Sequence, residues 1–117
     1  MLVIDDEQDI VNVIKKGLED QGSKVDGFSN PEKAIEHFEK NIKDFDLVIT
    51  DARMPQMSGF EVARKVKKLN PDVKVVLISA FEINKSEFEK VLPDLKIDNF
   101  IAKPFHVSEL VQVVNSL

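Results

Sequence analysis

No cysteine, tryptophan or tyrosine occurs among the 117 residues of the chain. Without cysteine there is no disulfide framework, no thiol nucleophile and no cysteine-ligated zinc. Only His37 and His106 offer imidazoles, and they lie far apart in sequence, so most metal and hydrolase chemistries are set aside. Long hydrophobic runs are missing too. The longest strongly apolar stretch, Val75 to Phe81, falls far short of the roughly 18 to 20 residues that cross a bilayer, and Met1 to Glu7 has no basic n-region. The expectation is a cytoplasmic protein with no membrane contact. Positive charge is in deficit, with 16 Lys and Arg against 21 Asp and Glu for a formal net charge of −5. That sign disfavours direct nucleic-acid binding.

What the chain does have is apolar residues at 43%, enough for a core, and a length that suits one domain spanning residues 1–117. Leu2-Val3-Ile4 reads as a buried strand that ends in Asp5-Asp6. Ile10, Val13, Ile14 and Leu18 recur at helical spacing, with Gly22 as a stop. A strand from Ser23 to Phe28 follows, then a helix capped by Asn30 with Pro31 in its first turn and Ala34, Ile35 and Phe38 on one face. Leu47-Val48-Ile49-Thr50 runs straight into Asp51, and a loop punctuated by Met54-Pro55 and Ser58-Gly59 leads to a helix marked by Phe60, Ala63 and Val66. Val73 to Ile78 is a further apolar strand stopping at Ser79. Ser86 with Glu89 fits a capping box for a short helix closed by Pro93, Phe100-Ile101-Ala102 is the last strand, and Leu110, Val111 and Val114 mark the last helix.

Five strands alternate with five helices, and apart from Ser23 to Phe28 the strands are largely apolar rather than apolar at every second residue. This predicts an α/β fold with a parallel sheet covered by helices on both faces. In open sheets of this kind ligands bind beyond the carboxyl ends of the strands, where Asp5, Asp6, Asp51, Ser79 and Lys103 all fall. Three carboxylates gathered there repel one another unless a cation joins them, and an oxygen-only donor set suits Mg²⁺. A lysine and a serine hydroxyl at neighbouring strand ends complete an anion site for phosphoryl oxygens.

Asp5-Asp6-Glu7, the run Asp51-Ala52-Arg53-Met54-Pro55-Gln56-Met57-Ser58-Gly59, Ser79-Ala80 and Lys103-Pro104-Phe105 together resemble the receiver domains of two-component response regulators, over essentially the whole chain. The resemblance implies a doubly wound, flavodoxin-like (βα)5 three-layer sandwich with strand order 2-1-3-4-5. It makes Asp51 the phosphoacceptor for a phosphoryl group from a histidine kinase or phosphotransfer protein. Asp5 and Asp6 become the Mg²⁺-binding pair, the Arg53 backbone carbonyl a further metal ligand, and Ser79 and Lys103 the phosphoryl-binding residues. Ser79 and Phe100 are implied as switch residues, with Phe in place of the commoner Tyr. On this reading the domain is not an enzyme, although it assists its own phosphorylation and dephosphorylation. It acts on a downstream protein or an effector domain, and a homodimer is expected through the helix after Ser86, the last strand and the last helix. The chain departs from the family pattern at Lys96-Ile97, where Gly-Ala is usual, and in the segment from Ser86 to Asn99.

Each feature has a plainer reading. Asp5-Asp6 alone is a favourable charge at a helix N-terminus, Asp51 a loop residue or cap, and Lys103-Pro104 a strand end before a turn. His37 reads as a solvated surface residue and His106 as a helix start. A degenerate receiver acting only as an interaction module is the nearest alternative. A phosphatase of the haloacid dehalogenase type requires a second Asp two residues after the nucleophile, where Arg53 stands. A flavodoxin-type nucleotide module requires a phosphate loop where Asp5-Asp6-Glu7-Gln8 would repel phosphate.

Overall fold

Short β-branched segments with no polar alternation have to be covered on both faces, and the sheet they form here is parallel throughout. The structure is a computed structural model, and it describes residues 1–80 and 96–117. The elements in chain order are β1 (Leu2–Ile4), α1 (Gln8–Glu19), β2 (Asp26–Phe28), α2 (Pro31–Lys40), a 3-10 turn (Ile42–Asp44) and β3 (Leu47–Asp51). They continue with α3 (Gly59–Leu69), β4 (Lys74–Ser79), β5 (Asn99–Ala102) and α4 (Val107–Ser116). The strands pair in the order β2-β1-β3-β4-β5, as the resemblance implies. The helix expected from Ser86 lies outside the described residues.

Alternate strand residues feed two cores. Leu2, Ile4, Val48, Val75 and Leu77 pack with Phe38 of α2 and with Val62 and Val66 of α3. Val3, Ile49, Val76 and Ile78 face the other way, against Val11, Ile14 and Leu18 of α1 and Leu110 of α4. The central strand β3 is therefore buried along its whole length, so its last residue, Asp51, is held at a fixed height.

Local chemistry sets the helix starts. The Asn30 side chain accepts from Lys33 N–H (3.1 Å) with Pro31 in the first turn, and Ser58 Oγ accepts from Glu61 N–H (3.2 Å). β2 is shorter than expected. The end of α1 consumes the preceding residues, because Gly22 adopts φ 90° and Ser23 N–H turns back to Leu18 O (3.2 Å).

His37 differs from its reading as a solvated side chain. Its Nε2 lies 3.0 Å from Asp26 Oδ2, and its ring packs between Phe28 (5.1 Å) and Phe45 (5.6 Å), tying the edge strand β2 to α2. His106 stands just before the first turn of α4, as expected. No helix among the described residues is long and apolar enough to cross a membrane.

Candidate phosphoryl and metal site

Parallel register brings the carboxyl ends of the strands into line. Ile4 pairs with Thr50, Asp51 with Ile78, and Ser79 with Ala102, so the residues that follow or end these strands share one edge. Carboxylate oxygens of Asp5, Asp6 and Asp51 lie within 4.8 Å of one another.

The two acids after β1 occupy different surroundings. Asp5 is buried: its Oδ1 accepts from Glu7 N–H (2.9 Å) and its Oδ2 from the Lys103 ammonium (3.1 Å). Asp6 is exposed. Lys103 also stands 3.6 Å from Asp51 Oδ1, so one cation serves two buried carboxylates. Its main chain is anchored by a hydrogen bond from Lys103 N–H to Ser79 O (2.7 Å).

Asp51 carries the chemical signature of the site. Burial, and then the negative charges of Asp5 and Asp6, push its carboxyl up from 3.8 to about 6, against the opposing pull of Lys103 and the Ala52 N–H. Burial alone would lower the Lys103 ammonium. Its hydrogen bond to Asp5 and the charges of Asp5, Asp51 and Glu7 outweigh that and hold it above its ordinary value. Three acids and one lysine leave the pocket short of positive charge. An oxygen-only donor set in that state fits a hard divalent cation such as Mg²⁺.

The backbone around Asp51 is fixed from several sides. Thr50 Oγ1 donates to Asp51 O (3.0 Å), Ala52 N–H to Ile78 O (2.8 Å), and Gly59 N–H to Ala52 O (2.9 Å). Gly59 is required by this approach, since a Cβ there would collide with the Asp51 carbonyl oxygen and lie 2.8 Å from Ala52 Cα. The sequence marks Gly59 only as loop punctuation, although its place directly after the Ser58 cap is consistent with a tight helix entry.

The structure brings together Asp5, Asp6, Asp51 and Lys103, and it places Ser79, which is buried, at the end of β4. Arg53 lies two residues past Asp51 with an exposed side chain. Phe100 is half-buried in β5, opposite Leu77. Asp98 is a residue that sequence reasoning missed. Its carboxylate accepts from Val75 N–H (2.8 Å) and from Lys67 Nζ (3.0 Å). Lys67 is 31 positions away, so no local pattern could signal the pair.

Comparison with known proteins places the chain in one family. The family model "Response regulator receiver domain" matches residues 1–115. The chain is 31% identical to the response regulator receiver protein CpdR of Brucella abortus, over 100% of this chain and 94% of that protein. It is 29% identical to the response regulator SaeR of Staphylococcus aureus, of whose length it spans 49%. A response regulator receiver domain protein from Clostridium thermocellum superposes with a TM-score of 0.85 at 30% identity, covering 98% of this chain and 90% of that one. The response regulator TrrA of Thermotoga maritima, solved in complex with Mg²⁺-BeF, superposes with a TM-score of 0.81 at 34% identity, covering 98% and 95%.

Proposed function

The chain belongs to the response regulator receiver family of two-component signalling, and from that premise we propose that residues 1–117 form a single phosphorylation-dependent switch with Asp51 as phosphoacceptor. The observation that carries this reading is the Asp51 carboxylate itself. It ends the buried central strand, lies within 4.8 Å of the carboxylate oxygens of Asp5 and Asp6, and faces the Lys103 ammonium at 3.6 Å.

In the transfer, an Asp51 carboxylate oxygen attacks the phosphorus of a phosphohistidine on a kinase or phosphotransfer protein. The O–P bond forms as the N–P bond breaks, and the departing imidazole nitrogen keeps the electron pair and takes up a proton. Asp5, Asp6, Asp51 and the Arg53 backbone carbonyl would hold Mg²⁺, which when bound supplies positive charge that screens the phosphoryl oxygens from the carboxylates. TrrA, 34% identical and solved with Mg²⁺-BeF, supports that assignment. Lys103 and the Ser79 hydroxyl bind phosphoryl oxygens, and the change at Ser79 is relayed to Phe100. The domain assists its own phosphorylation and dephosphorylation but turns over no separate substrate. A downstream protein or an effector domain reads the result, and β5 with α4 supplies the described part of a face for self-association.

Intact mass before and after incubation with phosphoramidate and Mg²⁺ tests the reading. One added phosphoryl group is expected in the wild type and none in Asp51→Asn. A wild type that gains none is a degenerate receiver.

A further inference from the structure

At the amino end of β5, Asp98 makes a set of contacts that the phosphoryl chemistry does not use. Its carboxylate, only 8% exposed, accepts from Val75 N–H (2.8 Å) and Lys67 Nζ (3.0 Å), while its own N–H donates to Val75 O (2.9 Å). Val75 and Asp98 thus exchange two hydrogen bonds, one through a side chain. That adds a rung one step before the Val76–Asn99 pairing where β5 begins. At the other end of the strand, Lys103 N–H donates to Ser79 O (2.7 Å). Burial alone would raise the Asp98 carboxyl, but the Val75 N–H, the hydrogen bond and charge of Lys67 and the charge of Lys96 outweigh it and hold the carboxyl below its ordinary value.

These contacts close a path through the molecule. Gly59, at the amino end of α3, bonds the backbone of Ala52 beside Asp51, and Lys67 near the other end of the same helix bonds Asp98. From Asp98, β5 leads to Lys103, whose ammonium returns to Asp51 at 3.6 Å. β5 is a four-residue edge strand with β4 as its neighbour. A one-residue slip would turn Ile101 out of the core and carry Lys103 away from the acids, since strand side chains alternate faces.

We propose that Asp98 is a positioning residue for the phosphoryl site: gripped by Val75 and Lys67, it fixes the register of β5 and thereby the height at which Lys103 meets Asp5 and Asp51. The catalytic consequence rests on Asp51 being the phosphoacceptor, and the grip on β5 does not.

Two measurements separate these. Amide hydrogen exchange at Lys103, five residues from the substitution, should quicken about tenfold in Asp98→Ala beyond any change at Ile49 in β3. Asp98→Asn keeps an acceptor for Val75 N–H but not the charge, and it should fall between wild type and Asp98→Ala. In the second arm, initial rates of phosphorylation by phosphoramidate with Mg²⁺ should drop about tenfold in Asp98→Ala. The Asp98→Ala/Lys103→Ala double variant should be no slower than Lys103→Ala alone, because residues acting through one another are non-additive. A merely structural role would give additive losses. Should Asp98→Ala not fold, Lys67→Met carries the same expectations. Unchanged exchange at Lys103, or additive rate losses, overturns the proposal. If the wild type gains no phosphoryl group, the phosphoacceptor reading falls, and exchange at Lys103 still decides whether Asp98 holds β5.

Discussion

Lys103 hydrogen-bonds Asp5 at 3.1 Å and stands farther, at 3.6 Å, from Asp51. The ammonium is therefore hydrogen-bonded to Asp5, while Asp51, the proposed phosphoacceptor, receives mainly its field. Lys103 offsets the repulsion that gathering three carboxylates creates, and its ammonium has only a short distance to travel to reach a group on Asp51.

Removing that ammonium leaves Asp5, 1% exposed, without its charge partner. Lys103→Ala is expected to lower metal-free stability at neutral pH by on the order of 2 kcal/mol, as leaving a buried acceptor without its donor does. Mg²⁺ affinity should persist, because lysine is not a ligand, whereas phosphorylation-driven switching should be impaired. Chemical denaturation with and without Mg²⁺ checks the first two: a variant as stable as wild type in EDTA would contradict the first, and a lost Mg²⁺ increment would contradict the second.

The Asp51 carboxyl gives a stability signature with a definite sign. Its folded-state value of about 6 exceeds its ordinary 3.8, so its contribution is fully present below about pH 4 and is lost as pH rises through about 6. Asp51→Asn has no such loss. In EDTA at pH 7.5 the variant should be more stable than wild type by on the order of 2 kcal/mol, and at pH 4 it should show no such advantage. Melting curves from pH 4 to 8 test this, and an advantage independent of pH would point to packing instead of charge.

Gly59→Ala addresses the helix entry that holds Asp51. The added methyl meets backbone atoms of Asp51 and Ala52 that cannot swing away as a side-chain tip could. A cost of about 1 to 3 kcal/mol is expected from such overpacking. Because the displaced group is the main chain of Asp51, the proposed phosphoacceptor, the rate of phosphoramidate labelling should fall as well. Normal labelling in a folded Gly59→Ala would show that Asp51 tolerates the shift.

Asp6 differs from Asp5 in being exposed, so among the proposed metal ligands it is the one whose removal should disturb the fold least. Mg²⁺ should raise the wild-type melting temperature by mass action, by about 1.4 kcal/mol of stability at ten times its dissociation constant. Asp6→Ala should lose most of that increment while folding normally without metal. Equal Mg²⁺ titrations for the two proteins would remove Asp6 from the ligand set.

Much of this was legible because local signals coincided with global ones. The runs Leu47–Thr50 and Val75–Ile78 carry no charge and do not alternate, as strands covered on both faces do not, and the Asn30 cap is self-contained. Asp5, Asp6, Asp51 and Lys103 each follow or end a strand, so parallel pairing alone brings them to one edge. What stayed hidden depends on contacts distant in sequence: Asp98 with Lys67, His37 with Asp26 and the two phenylalanines, and the backbone approach that makes Gly59 necessary. The division of labour between Asp5 and Asp6 was hidden too, because adjacent strand-end residues point in different directions and sequence does not say which one meets the lysine.

The remaining prediction concerns the route by which a phosphoryl group on Asp51 is felt elsewhere. Ser79 ends β4 two residues after Leu77, and Leu77 pairs across the sheet with Phe100, so Ser79, Leu77 and the Phe100 ring share one face. Phe100 is half-buried against the core on that face. If the Ser79 hydroxyl is drawn toward phosphoryl oxygens, the space beside it changes and the Phe100 ring can turn inward. The coupling is limited by how differently phosphate interacts with the two states, about 1 to 3 kcal/mol, or a 5- to 150-fold change in partner affinity. A beryllofluoride mimic with Mg²⁺ should therefore shift amide NMR signals at Ser79, Ala80 and Phe100 to Phe105. Phe100→Ala should weaken the response in β5 while sparing phosphorylation of Asp51. Shifts confined to the neighbourhood of Asp51, with β5 silent in the wild type, would rule this route out, because Phe100, the ring expected to turn, lies in β5 and Lys103 directly follows its last residue.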